Sequence, residues 1–134
     1  MAGSKIDSRI HVLVGILENS EGQICISQRP KGKHLEGYWE FPGGKKDEGE
    51  SAFEALVREF QEEIGVEIKE AHPWFQIEHE YPNQIYVLLD IWKIDLYTGT
   101  PESKEGQVVR MVSRNDLSGY VFPEGNKIIL ERLS

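Results

Sequence analysis

The sequence predicts an α/β (α+β) domain in which helices pack on a mixed β-sheet. Several short apolar segments bounded by turn residues predict strands, whereas few segments have helical periodicity. The 134 residues suit one compact domain, and 39% hydrophobic residues suffice for a core. We find no repeat or linker, so residues 1–134 are interpreted as a single domain.

The chain begins with two predicted strands. Residues 10–18 are apolar, residues 23–28 alternate, and the turn signal Asn19-Ser20-Glu21-Gly22 predicts that the two form a hairpin. Residues 29–37 are polar and contain glycine, which is typical of a loop. Pro42-Gly43-Gly44 predicts a further break in the chain.

One long helix follows the glycine-containing break. Ser51 is a predicted N-cap, Glu54 completes a capping box with it, and Gly65 is a natural residue to end the helix. Residues at helical spacing predict the face that is buried, namely Phe53, Leu56, Val57, Phe60 and Ile64.

The second half contains three predicted strands and a closing helix. Residues 75–81 and 85–97 predict strands joined at Pro82-Asn83, and residues 107–113 predict another. Residues 126–133 have a helical apolar stripe.

Charge and composition exclude several classes of function. The net charge of −8 disfavours binding to a nucleic-acid polymer, because such surfaces are basic. No stretch is apolar enough for a membrane span or a signal peptide, and the single cysteine, Cys25, is interpreted as a buried hydrophobe. We therefore expect a cytoplasmic protein without membrane association.

Three glutamates project from one side of the predicted helix. Glu59, Glu62 and Glu63 lie at i, i+3 and i+4, where like charges repel by about 0.2–0.5 kcal/mol per pair. Such a cluster is either a solvated acidic face or a site at which a cation removes the repulsion. A bound divalent cation would also reconcile a net negative charge with an anionic ligand.

The residues around this cluster resemble the Nudix box. Residues 44–66 read Gly-x5-Glu-x7-Arg-Glu-Phe-x-Glu-Glu-x-Gly-Val, which matches that motif at every defined position. The resemblance implies an α/β/α sandwich and a Mg²⁺ site, with Mn²⁺ as a substitute. The implied metal ligands are Glu59, Glu62, Glu63 and the Gly43 carbonyl. The implied catalytic residues are Glu59 and Glu62, with Arg58 orienting the carboxylates rather than forming a mere surface ion pair.

Four further stretches resemble the MutT-type branch of the family. They are Gln28-Arg29 with His34, residues 39–45, Lys104-Glu105-Gly106-Gln107, and residues 122–126. This resemblance implies that Glu105 is a metal ligand, although it is otherwise an ordinary loop acid. Asn126 would read an oxidised purine, or alternatively would only cap the last helix. The other implied nucleotide-binding residues are Arg29, His34, Phe41, Lys45 and Tyr81, of which Phe41 and Tyr81 have core packing as the alternative.

The implied reaction is Mg²⁺-dependent hydrolysis of a nucleoside triphosphate, most specifically 8-oxo-dGTP, to a monophosphate and pyrophosphate by a monomer. Within enzymes, the alternative substrates are CTP, a modified pyrimidine triphosphate or a nucleoside diphosphate linked to a sugar. Outside enzymes, the alternative is a non-catalytic nucleotide-binding module.

Overall fold

The computed structural model describes residues 9–81 and 84–134, without the side chains of Arg9 and Tyr81. Two short 3₁₀ helices, Arg114–Gly119 and Glu124–Asn126, precede the last α-helix. In chain order the other elements are β1 (Arg9–Ile16), β2 (Gln23–Gln28), β3 (Trp39–Glu40), β4 (Gly43–Lys45), α1 (Ala52–Ile64), β5 (Glu67–Tyr81), β6 (Ile85–Thr98), β7 (Val108–Ser113) and α2 (Lys127–Leu133).

The strands form two sheets. The larger has the order β4-β1-β6-β5 and is mixed, because β1 is parallel to β6 and antiparallel to β4. The smaller is antiparallel, with the order β3-β2-β7. The predicted mixed sheet is therefore confirmed, and the smaller sheet is an addition to it.

Side chains that alternate between the two faces of β1 divide the core into two clusters. Leu13 packs in the cluster that contains the buried face of α1, including Leu56 and Phe60. Its neighbour Val14 belongs to the other cluster, which contains Ile129 of α2. Because successive side chains of a strand point to opposite faces, one apolar strand serves both cores. The two helices thus cover opposite faces of the sheet, in the α/β/α arrangement.

Helix α1 begins and ends as predicted. The Ser51 hydroxyl accepts a hydrogen bond from the Glu54 amide at 3.1 Å, and the Glu54 carboxylate accepts one from the Ser51 amide at 2.8 Å. Gly65 follows the helix in the left-handed conformation, with φ of 68°. The helix that carries the acidic cluster is therefore firmly bounded at both ends by its own sequence.

The predicted β1–β2 hairpin forms only at its turn. The two strands belong to different sheets and meet only at the turn, through a single bridge between Glu18 and Ile24. A strand has two edges, and both edges of β1 are occupied, one by β4 and the other by β6. The strand β2 therefore has no edge of β1 with which to pair.

Strands β4 and β5 also differ from the predictions. Gly43 and Gly44 of the predicted Pro42-Gly43-Gly44 break belong to strand β4 and pair with β1. The strand β5 begins at Glu67 rather than at residue 75, and a register shift lies between Pro73 and Phe75. An edge strand tolerates proline, which cannot donate to a ladder.

The predicted Pro82-Asn83 turn lies outside the described residues. None of the helices described is long and apolar enough to cross a membrane.

Candidate active site

The glycines of β4 allow α1 to pack closely against this strand. The Gly43 amide donates a hydrogen bond to Oε2 of Glu63 at 3.0 Å. A Cβ atom added to Gly44 would lie 2.3 Å from Oε2 of Glu59, which is closer than such atoms can approach. The sequence Gly43-Gly44 therefore lets two carboxylates of the helix reach the backbone of the strand. The predicted role of the Gly43 carbonyl as a metal ligand stays a prediction.

Arg58 connects several carboxylates of the site. Its Nε and Nη2 atoms donate to the two oxygens of Glu50 at 3.1 and 2.6 Å. Its Nη1 atom donates to Oε1 of Glu59 at 2.8 Å and to Oε1 of Glu62 at 3.0 Å. Nη2 also donates to the Lys45 carbonyl at 3.1 Å, which ties the helix to β4. This arrangement suits the predicted orienting role better than an isolated surface ion pair would.

We expect Glu50 to stabilise the protein near neutral pH and to lose this effect in acid. Hydrogen bonds, from Arg58 first and then from the Asp47 amide, lower the pKa of Glu50 to about 2 from 4.5. Because the folded state has the lower pKa, this stabilisation is complete above about pH 4.5 and disappears as the pH falls towards 2. Urea unfolding should therefore show that the wild type exceeds Glu50→Gln in free energy of unfolding by less at about pH 3 than at about pH 6. Glu48→Gln, at an exposed position, is the control, and a pH-independent advantage would contradict the prediction.

Burial dominates the electrostatics of the two inner carboxylates. Burial raises the pKa of Glu63 to about 9, the Gly43 amide opposes this, and the charges of Glu59, Glu40 and Glu105 add to it. Burial also raises the pKa of Glu59, Arg58 opposes this, and Glu62 and Glu105 contribute in the same direction as burial. The fold thus holds acidic groups together at an electrostatic cost that a cation would relieve.

A pocket of about 370 Å³ opens beside Glu63, whereas the predicted catalytic residues Arg58, Glu59 and Glu62 do not belong to its lining. It contains acidic and basic groups together, because Glu63 and Glu105 share its lining with Arg29 and Lys33. Oε1 of Glu40 lies 3.2 Å from Nε of Arg29, and burial raises the pKa of Glu40 against the effect of that guanidinium. The complete lining is Ser27, Arg29, Pro30, Lys33, Glu40, Glu63, Glu105 and Gln107.

Glu40 and Gln107 line this pocket although sequence reasoning assigned neither a role. Glu40 immediately precedes Phe41-Pro42-Gly43, and its pairing partner on β2 is Ser27, another lining residue. Gln107 is buried and bonds to the backbone of Glu63 and Glu105. Both residues lie inside stretches that resemble the MutT-type branch. Their place in those stretches, rather than their residue type, could have indicated a role at the site.

Among the predicted nucleotide-binding residues whose side chains the structure describes, four do not belong to this lining. Phe41 is 4% exposed and stacks on Phe122 with ring centroids 5.1 Å apart, so it packs in the core. His34 and Lys45 are exposed. Asn126 is the N-cap of α2, but its side chain makes no capping hydrogen bond. Tyr81 belongs to β5, and its side chain lies outside the described residues.

The donor set suits a hard divalent cation. Over residues 9–81 and 84–134, no three His, Cys, Asp or Glu side chains lie together as a complete metal site. Glu59 and Glu62 both accept hydrogen bonds from Arg58, and Glu63 accepts one from the Gly43 amide. Their chemistry nevertheless fits, since carboxylate oxygens are the ligands that Mg²⁺ prefers and these carboxylates repel one another.

Comparison with known proteins identifies the family. A model described as a NUDIX domain matches residues 13–132, so the chain belongs to the Nudix family of hydrolases. It is 33% identical over 125 residues to the 8-oxo-dGTP diphosphatase of Escherichia coli (strain K12), covering 93% of this chain and 96% of that protein. It is 32% identical over 122 residues to the CTP pyrophosphohydrolase of the same strain, covering 91% and 89%. A MutT structure from work on Aliivibrio salmonicida and Vibrio cholerae superposes with a TM-score of 0.82 at 36% identity, covering 93% and 96%.

Proposed function

We propose that this protein is a Mg²⁺-dependent pyrophosphohydrolase that converts 8-oxo-dGTP to 8-oxo-dGMP and pyrophosphate and so cleans the nucleotide pool. The observation that carries the proposal is the shared lining of one pocket by the carboxylates Glu63 and Glu105 and the cations Arg29 and Lys33. A triphosphate with bound cations requires both kinds of group. We further infer that the protein acts as a cytoplasmic monomer on a free nucleotide.

Each residue has a defined task in this reaction. Mg²⁺, or Mn²⁺ in its place, would be held by Glu105 and the Gly43 carbonyl with the box glutamates, and would neutralise phosphate charge and acidify a bound water. Arg29 and Lys33 in the pocket lining bind phosphate oxygens, and Lys45, which adjoins the glycines of β4, adds a contact from outside the lining. Glu59 accepts the proton of the water that attacks the β-phosphorus, and Arg58 holds that carboxylate through Oε1. The other box carboxylates, Glu62 and Glu63, would hold the cation.

Asn126 supports discrimination between oxidised and ordinary purine. 8-Oxoguanine has a hydrogen at N7 beside the O6 acceptor, and an amide offers both matching groups. Guanine leaves one of the partners unpaired, which costs about 1–3 kcal/mol when the group is buried. The Asn126 side chain makes no capping hydrogen bond in α2, which favours base recognition over the alternative role as a helix cap.

A substrate panel tests the proposal. With Mg²⁺, pyrophosphate release from 8-oxo-dGTP should exceed that from dGTP and CTP in kcat/KM. Asn126→Ala should reduce the preference for 8-oxo-dGTP over dGTP by about 10- to 100-fold. The control is Asn115→Ala, at an exposed position in a 3₁₀ helix.

The outcomes separate the candidates. Equal efficiency for 8-oxo-dGTP and dGTP would contradict the sanitising role. A clear preference for CTP would favour the second candidate, which rests on the nearly equal identity to the CTP pyrophosphohydrolase. Absence of turnover with every nucleotide would favour the non-catalytic binding module.

A further inference from the structure

Gln107 makes three hydrogen bonds with one buried side chain. Its Oε1 atom accepts from the Ser103 hydroxyl at 2.8 Å and from the Glu105 amide at 3.0 Å. Its Nε2 atom donates to the Glu63 carbonyl at 2.9 Å. The residue is 8% exposed, so these bonds are shielded from water. One side chain therefore connects the backbones of two predicted metal ligands.

The partners determine which way the amide points. A backbone N–H must face an acceptor and a backbone carbonyl must face a donor, so Oε1 faces Glu105 and Nε2 faces Glu63. An amide of this length satisfies both at once, whereas a carboxylate would place an oxygen against the Glu63 carbonyl. The contact therefore depends on the residue type and not only on its size.

The loop between β6 and β7, which contains Glu105, is also joined to the end of α1 by its backbone. The Glu102 amide donates to the Ile64 carbonyl and the Lys104 amide to the Glu63 carbonyl, each at 3.1 Å. These carbonyls lie in the last turn of the helix, where no further turn can satisfy them. The Glu105 carboxylate is exposed, and its backbone rather than its side chain is held in place.

Holding this loop at the helix end opposes electrostatic repulsion. Glu105 and Glu63 line the same pocket, so their like charges repel each other when both are ionised. Without a cation, that repulsion would drive the exposed loop away from α1. The three bonds of Gln107 act against such a movement.

We propose that Gln107 is a positioning residue that holds Glu105 beside Glu63 before a divalent cation binds. The site is then assembled in advance, and the binding energy of the cation is not spent on ordering the loop. This inference rests on the cation site of the proposed function. Residues that position metal ligands in this manner typically change metal affinity by about 10- to 100-fold.

The test measures Mn²⁺ binding to the whole protein by electron paramagnetic resonance, without nucleotide. Gln107→Met keeps the length of the side chain and removes its hydrogen bonds, and Gln76→Met, at an exposed position of β5, is the matched control. We expect Gln107→Met to weaken Mn²⁺ binding about tenfold or more and to accelerate amide hydrogen exchange at Lys104 and Glu105 in the metal-free protein. The control should behave as the wild type does. At saturating Mg²⁺, kcat should recover to within a few-fold, because the cation then orders the loop.

The possible outcomes are distinct. Unchanged Mn²⁺ affinity and unchanged exchange in Gln107→Met would overturn the positioning role while leaving the proposed function intact. If the wild type bound no Mn²⁺, the cation site itself would be overturned, and with it both proposals. If Gln107→Met does not fold, Ser103→Ala removes one bond of the same network. It should produce a smaller loss of affinity in the same direction, and an unchanged affinity there would count against the proposal.

Discussion

Glu59→Gln should lower turnover by about 10²- to 10⁴-fold, which is the usual contribution of a general base. The amide has the shape of the carboxylate, and its oxygen can still accept the hydrogen bond that Arg58 donates at 2.8 Å. It has neither the charge that binds a cation nor the basicity that accepts a proton. The measurement is pyrophosphate release from 8-oxo-dGTP at saturating Mg²⁺.

Stability separates loss of chemistry from loss of structure in this variant. Burial raises the pKa of Glu59, so its ionised form costs folding free energy near neutral pH, and a neutral amide removes that cost. The melting temperature of metal-free Glu59→Gln should therefore equal or exceed that of the wild type. Glu131→Gln, on the exposed surface of α2, is the control. Turnover like that of the wild type would remove Glu59 from the catalytic assignment.

Gly43→Ala should destabilise the protein by about 3 kcal/mol, the sum of a backbone cost and an overpacking cost. Gly43 has φ of 154°, and an added Cβ would lie 1.9 Å from the Leu13 carbonyl oxygen and 3.0 Å from the Val14 Cα. These neighbours are backbone atoms of β1 and cannot move aside as a flexible side chain would. Urea unfolding measures the loss, and displacement of β4 should also reduce turnover because Gly43 contacts Glu63.

Gly49→Ala is the matched control for this variant. Gly49 also has a positive φ, 86°, but an added Cβ would meet nothing within 4 Å. The free energy of unfolding of Gly49→Ala should therefore fall only by the backbone cost of about 1–2 kcal/mol. Equal losses in the two variants would show that close packing against β1 is not the reason for glycine at position 43.

Local signals predicted those elements whose own residues specify them. Ser51, Glu54 and Gly65 predicted both ends of α1, because a capping box and a left-handed C-terminal glycine are short-range interactions. The apolar residues at helical spacing in α1, including Phe60, also predicted its buried face correctly. The pairing of β1 was not predictable in this way, because β6, its parallel neighbour, is far away in the chain.

Spacing along one chain is sufficient to identify the family, the acidic helix and the order of most elements. Packing of separate elements was needed to show that Phe41 lies in the core against Phe122 and that Arg29, Glu40, Glu105 and Gln107 share a pocket with Glu63. These contacts join residues from separate strands and loops. Their distances depend on how two sheets and a helix pack, which no local pattern encodes.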